Sequence, residues 1–238
     1  MNSNNRIRSN HIVTVLSLAT IMFAGTQFLL ALAPTVALVT KVVKEVVHKP
    51  EDKDWHRAKV GQPLSDGDLL KTGKRSIAIV KFADNNVLRI RARSELRIFA
   101  SKSDDGAFSK NVDVARGKMG FDVTNQENEQ FTFTSPTSVA SIRGSNGSFA
   151  SNPADGDTLI MLSGDADLMS QLTGETQPLS GGKTGIVDAE TGEIEVRDSS
   201  EDEQSDAQAS NAEPNVRELR MRTMDGRNFI IEFDDQRP

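Results

Sequence analysis

The chain has no cysteine and no tyrosine, and only one tryptophan and three histidines in 238 residues. Without cysteine there can be no disulfide, no thiolate nucleophile, no cysteine metal ligand and no lipid on an N-terminal cysteine. The histidines are His11, His48 and His56. They lack the clustered ligand spacing that zinc chemistry uses, so no metal site and no cofactor is expected. Ser-His-Asp chemistry needs an oriented histidine beside its nucleophile, and neither His48 nor His56 stands near a serine elbow. Asp155-Gly156-Asp157 and Asp165-Ala166-Asp167 pair carboxylates, but calcium takes six or more oxygens, so these read as turn chemistry. No catalytic residue is assigned, and the chain is not expected to be an enzyme.

A basic excess is also absent. The net charge is −6, and six acids (Asp198, Glu201, Asp202, Glu203, Asp206 and Glu213) fall between 198 and 213 without a base, which leaves 28 acids against 28 bases elsewhere. Nucleic-acid binding draws most of its affinity from phosphate neutralisation, so nucleic acid is not an expected partner. Aromatic residues make up only 5% of the chain. That scarcity argues against a polysaccharide or cell-wall binding module, the alternative reading, which would use exposed aromatics such as Trp55.

What is present begins with a leader. Arg6 and Arg8 precede a mainly apolar run from Ile12 to Leu32, the charge arrangement of an export signal or an N-in anchor. The run is long enough to span a bilayer, which takes about 20 residues. Ala31-Leu32-Ala33 offers a small-x-small cleavage pattern, with Pro34 after it as a hindrance, and Thr35-Val36-Ala37 is a weaker site. Both outcomes export the chain after about Val39. The expected location is the periplasmic side of the cell envelope, either held in the inner membrane through residues 12–33 or cleaved and released.

From Val39 onward the pattern is that of short strands. Val39–Val47 is dense in β-branched residues and reads as a strand, Pro50–Lys53 as a charged turn, and Trp55 as a core or edge packing residue. Ile77–Phe82 carries apolar residues on both faces. After Asp84-Asn85-Asn86, Leu88, Ile90 and Ala92 point inward and Arg89, Arg91 and Arg93 outward, with Leu96 and Ile98 continuing inward beside Glu95 and Arg97. Period-two alternation marks one buried and one solvated face. The arginine row is either a surface for an anionic partner or a solvated face that discourages edge pairing. Further strands are expected at 112–115, 118–123, 130–134, 139–142, 148–150 and 158–162. Turns are expected at 104–106, 125–128, Asn146-Gly147, 152–156 and Ser163-Gly164-Asp165.

These punctuating residues resemble the FecR domain, the exported half of ferric-citrate-type transmembrane regulators. The resemblance rests on Gly61-x-x-Leu64-x-x-Gly67-Asp68 with Thr72-Gly73, Phe82-Ala83-Asp84 leading into Leu88-x-Ile90, and Gly117-Lys118-Met119. It continues in Phe133-Thr134-Ser135-Pro136, Ser141-Ile142-Arg143-Gly144-Ser145, Leu162-Ser163-Gly164-Asp165-Ala166 and Gly181-Gly182. It covers roughly 39–187 and implies an all-β domain, wound as a solenoid or a sandwich, without catalytic residues. Gly67, Asp68, Gly73, Asp84, Pro136, Arg143 and Gly144 would then be structural, with Arg143 satisfying strand-end carbonyls. The pattern departs from signal-transducing members, which place an anti-sigma helical segment before the span, where this chain has eleven residues. They also carry a fuller C-terminal signalling domain.

The expected organisation is a signal or anchor at 1–37, a FecR-like β domain at 38–197, a disordered acidic linker at 198–215 and a C-terminal hairpin at 216–238. The hairpin reads from the alternation at 219–223, a two-residue Asp225-Gly226 turn and the return of Phe229, Ile231 and Phe233. An isolated hairpin is marginal in water, so it packs back or joins a partner's sheet. The expected function is a non-enzymatic envelope sensor or protein-interaction module in signalling, with another envelope protein as partner. Arg89, Arg91, Arg93, Arg97, Trp55, Phe229, Ile231 and Phe233 are the candidate interaction residues.

Overall fold

Apolar residues at every second position need a ladder to face them inward, and the chain supplies one large, mostly antiparallel sheet. In the computed structural model the described residues are 35–51, 53–102, 108–124, 129–214, 216–222 and 228–234. The leader, residues 12–33 included, lies outside them. Among the described residues no helix is long and apolar enough to cross a membrane.

The N-terminal strands are β1 (Thr35–Val43), β2 (Val46–Lys49), β3 (His56–Arg57), β4 (Pro63–Ser65), β5 (Leu69–Thr72), β6 (Ile77–Phe82), β7 (Val87–Ile90) and β8 (Glu95–Lys102). Three strands of 15 residues follow in the heart of the sheet: β9 (Phe108–Asp122), β11 (Ser138–Asn152) and β12 (Gly156–Ser170), with β10 (Glu129–Thr134) between the first two. β13 (Thr176–Ser180), β14 (Lys183–Asp188) and β15 (Ile194–Asp198) complete a 15-stranded open sheet whose main path runs β15-β14-β12-β11-β10-β9-β7-β6-β1-β4. The fold is all-β, as the alternation implies.

The long strands correct the sequence reading. Residues 112–115 and 118–123 belong to one strand, as do 139–142 and 148–150. Each long strand bends and changes partner along its length. The first half of β9 pairs with β8 and, in parallel, with β10; its second half pairs with β7 and β11. Ser163-Gly164-Asp165 and Asn146-Gly147 are therefore bends inside strands, where the β11–β12 register shifts at Arg143, Asn146 and Gly147. Gly164 has φ +77°, and a Cβ there would stand 2.2 Å from the Gly144 carbonyl, so this bend approaches Gly144 only because residue 164 is glycine. The turn at 152–156 is present, with the Asp155 N–H donating to the Asn152 carbonyl. The expected turns at 104–106 and 125–128 lie outside the described residues.

The main apolar cluster is threaded by phenylalanines, and a small second cluster of Val43, Ile77 and Ile79 lies apart from it. Phe82 meets Phe131 at 5.2 Å between ring centres, Phe131 meets Phe133 at 5.4 Å, and Phe133 meets Phe121 at 5.0 Å and Phe149 at 5.7 Å. All five are buried. Tilted and edge-to-face ring pairs each add about 0.5–1.5 kcal/mol beyond burial. The body starts before residue 38: β1 opens at Thr35, and Ala37 is a core residue paired with Leu64 and Phe82.

The acidic stretch is not a disordered linker. Residues Glu201–Asn211 form a helix, α1, opened by a capping box in which Ser200 and Glu203 satisfy each other's backbone N–H. The helix has almost no apolar face, burying only Ala207 and Ser210. Its stability comes from caps and charged contacts, which a hydrophobicity argument does not register.

The tail is a hairpin, β16 (Val216–Arg222) with β17 (Asn228–Asp234), forming its own two-stranded sheet. Val216 pairs with Asp234 and Arg222 with Asn228, a register centred on residue 225. The expected Asp225-Gly226 turn falls between the two strands. Residues 223–227 and the side chains of Phe229, Ile231 and Phe233 lie outside the described residues.

Candidate functional site

The arginine row is not simply solvated. β7 carries Arg89 on its outer face, and Arg91 follows at its end. Arg91 Nε donates to the Ser210 carbonyl at 2.9 Å, and its NH2 reaches the carbonyls of Ser210 at 2.5 Å, Ala212 at 2.9 Å and Ala209. The last turn of α1 has no basic residue of its own. Arg91 supplies that cation from the sheet, where unpaired carbonyls and the negative end of the helix dipole converge.

Around this anchor the contacts are mostly charged. Lys118 pairs with Asp206, Lys41 Nζ donates to the Pro214 carbonyl at 2.9 Å, and Asn211 Nδ2 donates to the Gly147 carbonyl at 2.6 Å. Gly120 on β9 leaves the space the helix end needs: a Cβ there would stand 2.3 Å from the Ser210 carbonyl oxygen. At the helix start, Arg197 grips Glu203 with two 2.7 Å bonds. Those bonds, more than any other cause, hold the Glu203 carboxyl down at about 2. Arg89 is 14% exposed and touches Glu213 at 3.4 Å, while its Nε and one terminal nitrogen are buried and make no hydrogen bond.

Beside Arg91 lies an open groove of about 790 Å³, lined by Lys44, Lys74, Arg75, Ser76, Ile77, Arg91, Ala92 and Arg93. Five of these eight are cations and none is an acid. Lys44 (φ 60°), Arg75 (φ 52°) and Arg93 (φ 59°) hold left-handed backbone, which among the described non-glycine residues only Asn85 shares. Each such residue costs about 1–3 kcal/mol. A chain that places three strained cations around one groove presents a concentrated positive field there.

The other candidates stand apart. Arg97 on β8 faces Asp113 across the β8–β9 ladder and lies over the Phe99 ring at 5.8 Å. Burial raises the Asp113 carboxyl above its ordinary value, and Arg97 opposes that shift. Trp55 is 39% exposed instead of packed in the core, and the Lys71 ammonium stands 4.5 Å from its ring centre. Arg143 donates to the Asp167 carboxylate at 2.7 Å, replacing the expected bonds to strand-end carbonyls. Asp84 ties the β6–β7 turn to Asn86 and pairs with Lys110 at 2.5 Å in a nearly buried contact. Gly67 and Gly73 donate to the carbonyls of Ile98 and Glu45. Pro136 lies exposed between Ser135 and Thr137, while Ser135 and Ser138 both donate to buried Asp157.

One cluster has no counterpart in the sequence reading. His48 and His56 are directly opposite on β2 and β3, with His48 Nδ1 3.1 Å from His56 Nε2. His48 Nε2 donates to Asp68 Oδ2 at 2.7 Å, and the same oxygen accepts the Ser65 N–H at 3.0 Å. Burial lowers the His48 pKa, and the Asp68 carboxylate works against that shift.

Residues 68–167 match the family model described as FecR protein. The matched segment begins at Asp68 and runs almost to the end of β12. It contains the arginine row, Gly120 and most of the cationic groove, while Lys44, both histidines and α1 lie outside it. Two crystal structures of a candidate anti-sigma factor from Parabacteroides distasonis are similar to this chain at 16% identity, with a TM-score of 0.48. The similarity covers 55% of this chain and 59% of that one. No curated protein matches the sequence significantly.

Proposed function

We propose that this chain is a non-enzymatic regulatory module of the FecR type, exported to the periplasmic side of the cell envelope, whose cationic face docks an acidic segment of a partner protein. The carrying observation is that this face already holds such a segment. Helix α1 is acidic and nearly devoid of apolar contact, yet Arg91, Lys118 and Arg89 capture it and the residues just after it through carbonyls and carboxylates. The adjoining groove offers four further cations, Lys44, Lys74, Arg75 and Arg93, and no acid on its lining. The FecR match supports a regulatory, sensor-type role, and the leader supports export. A carbohydrate module is less favoured, because the ammonium of Lys71 stands over the ring of Trp55, the chain's only tryptophan.

The test compares the wild-type chain with a Lys74→Glu, Arg75→Glu, Arg93→Glu variant as baits in envelope extracts at low and high salt. The reading expects a discrete partner that the variant fails to retain and that high salt releases. A partner retained equally by both baits would overturn it. Deletion of 216–238 separates the hairpin's contribution: loss of the partner on that deletion alone would move the docking site to the tail.

A further inference from the structure

We infer that His48 and His56 form a binding site for a divalent transition-metal ion such as Zn2+, Cu2+ or Ni2+, with Asp68 orienting His48. Asp68 Oδ2, already held by the Ser65 N–H, accepts from His48 at 2.7 Å, which places the His48 proton on Nε2. His56 Nδ1 faces the Asp54 carbonyl at 3.3 Å, an acceptor only, which places the neutral His56 proton on Nδ1. The two remaining nitrogens, His48 Nδ1 and His56 Nε2, then face each other at 3.1 Å with a lone pair each. Two lone pairs at that distance repel unless a cation stands between them.

The ring geometry accommodates an ion between the two nitrogens as well as a bent N–H···N bond. A linear N–H···N bond of this length would hold the ring centres about 5.4 Å apart, whereas they are 4.8 Å apart. For rings about 1.15 Å in radius approaching symmetrically, the 3.1 and 4.8 Å separations would aim both nitrogens at a point about 2.1 Å from each, within the Zn–N range. The planes are inclined at 73°, as two imidazoles on one ion can be. Imidazole suits Zn, Cu and Ni, and a carboxylate on the far nitrogen of a ligating histidine is the usual outer support of such sites.

His48 is buried at 1% exposure while His56 lies at the surface, so an ion would enter from the His56 side. Among the described residues no group of three ligating side chains is present. The remaining coordination positions therefore face solvent and would hold water or a donor from another molecule. The ion would clip β2 to β3 and fix the turn between them.

The experiment uses the full chain, stripped with chelator and titrated with Zn2+ by calorimetry, and separately with Cu2+ by electron paramagnetic resonance. One equivalent of tightly bound Zn2+ and nitrogen hyperfine structure from two imidazoles on Cu2+ are expected. His56→Ala, an exposed change that leaves the core intact, should weaken binding at least tenfold. Asp68→Asn should weaken it about 10–100-fold, provided its circular dichroism matches wild type. His11→Ala should change nothing. Absence of binding to the wild type, binding unaffected by His56→Ala, or binding lost in His11→Ala would overturn the assignment.

Discussion

Gly120→Ala tests whether the acidic helix is held by close approach to the sheet. Gly120 pairs with Arg89 and Ser148 in extended conformation, so alanine is compatible with strand β9 itself. The added methyl would stand 2.3 Å from the Ser210 carbonyl oxygen and 2.5 Å from its carbon, distances that backbone cannot absorb without moving. The helix must lift. Lifting it forfeits the Arg91 bonds to the helix carbonyls, about 1.5–3 kcal/mol for a charged donor, and the Asn211–Gly147 bond, about 1 kcal/mol. It also forfeits the Ala207 methyl burial, about 0.8 kcal/mol, and exposed pairs such as Lys118–Asp206 at 0–1 kcal/mol each. Roughly 3–6 kcal/mol is thus the upper bound on the loss. Each 1.4 kcal/mol raises the open population about tenfold, so amide exchange across 201–211 should accelerate by up to about two to four orders of magnitude. Peptides from β9–β11 outside the contact should keep their protection. Unchanged exchange in 201–211 would refute the close-approach account, and loss of protection throughout the sheet would show that the glycine serves the strand instead.

Other consequences follow from the same geometry. Because Glu203 has its pKa depressed to about 2, its stabilisation is complete above the ordinary value near 4.5 and is lost as pH falls from there toward 2. Solvent screening limits it to about 1 kcal/mol; helix protection should decline over that window in the wild type and show a flat response in Glu203→Gln. Phe133→Ala removes the ring that meets Phe121, Phe131 and Phe149 and should destabilise the fold by about 3–5 kcal/mol, read as a lower midpoint in urea. If the leader is cleaved, intact mass should place the mature N-terminus at Pro34 and not at Leu38. Cleavage after Ala37 would remove a core residue and its pairing with Leu64 and Phe82; a folded species starting at Leu38 would contradict that expectation.

What the sequence made legible was period and punctuation. Leu88 and Ile90 inward with Arg89 and Arg91 outward is visible in the alternation alone, and the two-sided burial of Ile77–Phe82 is visible in its composition. The bends were harder: a glycine in a strand pattern signals a turn or a bulge equally well, and the bulge here shows only in the register shift between Arg143 and Gly147 and the close approach of Gly164 to the Gly144 carbonyl. Helix α1 was hidden by its lack of an apolar stripe, although Ser200 and Glu203 carry the spacing of a capping box. The partners of Arg91 lie 118–121 residues away, beyond any local pattern. The His48–His56–Asp68 cluster depends on the β2–β3 register and on β5 lying beside β2, neither of which spacing specifies.

The cationic groove is the proposed protein-docking surface. Ala92 is exposed, uncharged and part of its lining, so a photo-crosslinking residue placed there reports the occupant without removing a cation. Irradiation of cells carrying the full chain should yield one discrete adduct with an envelope protein, and that adduct should vanish when Lys74, Arg75 and Arg93 are changed to glutamate. No adduct, or the same adduct with the charges reversed, would contradict the account.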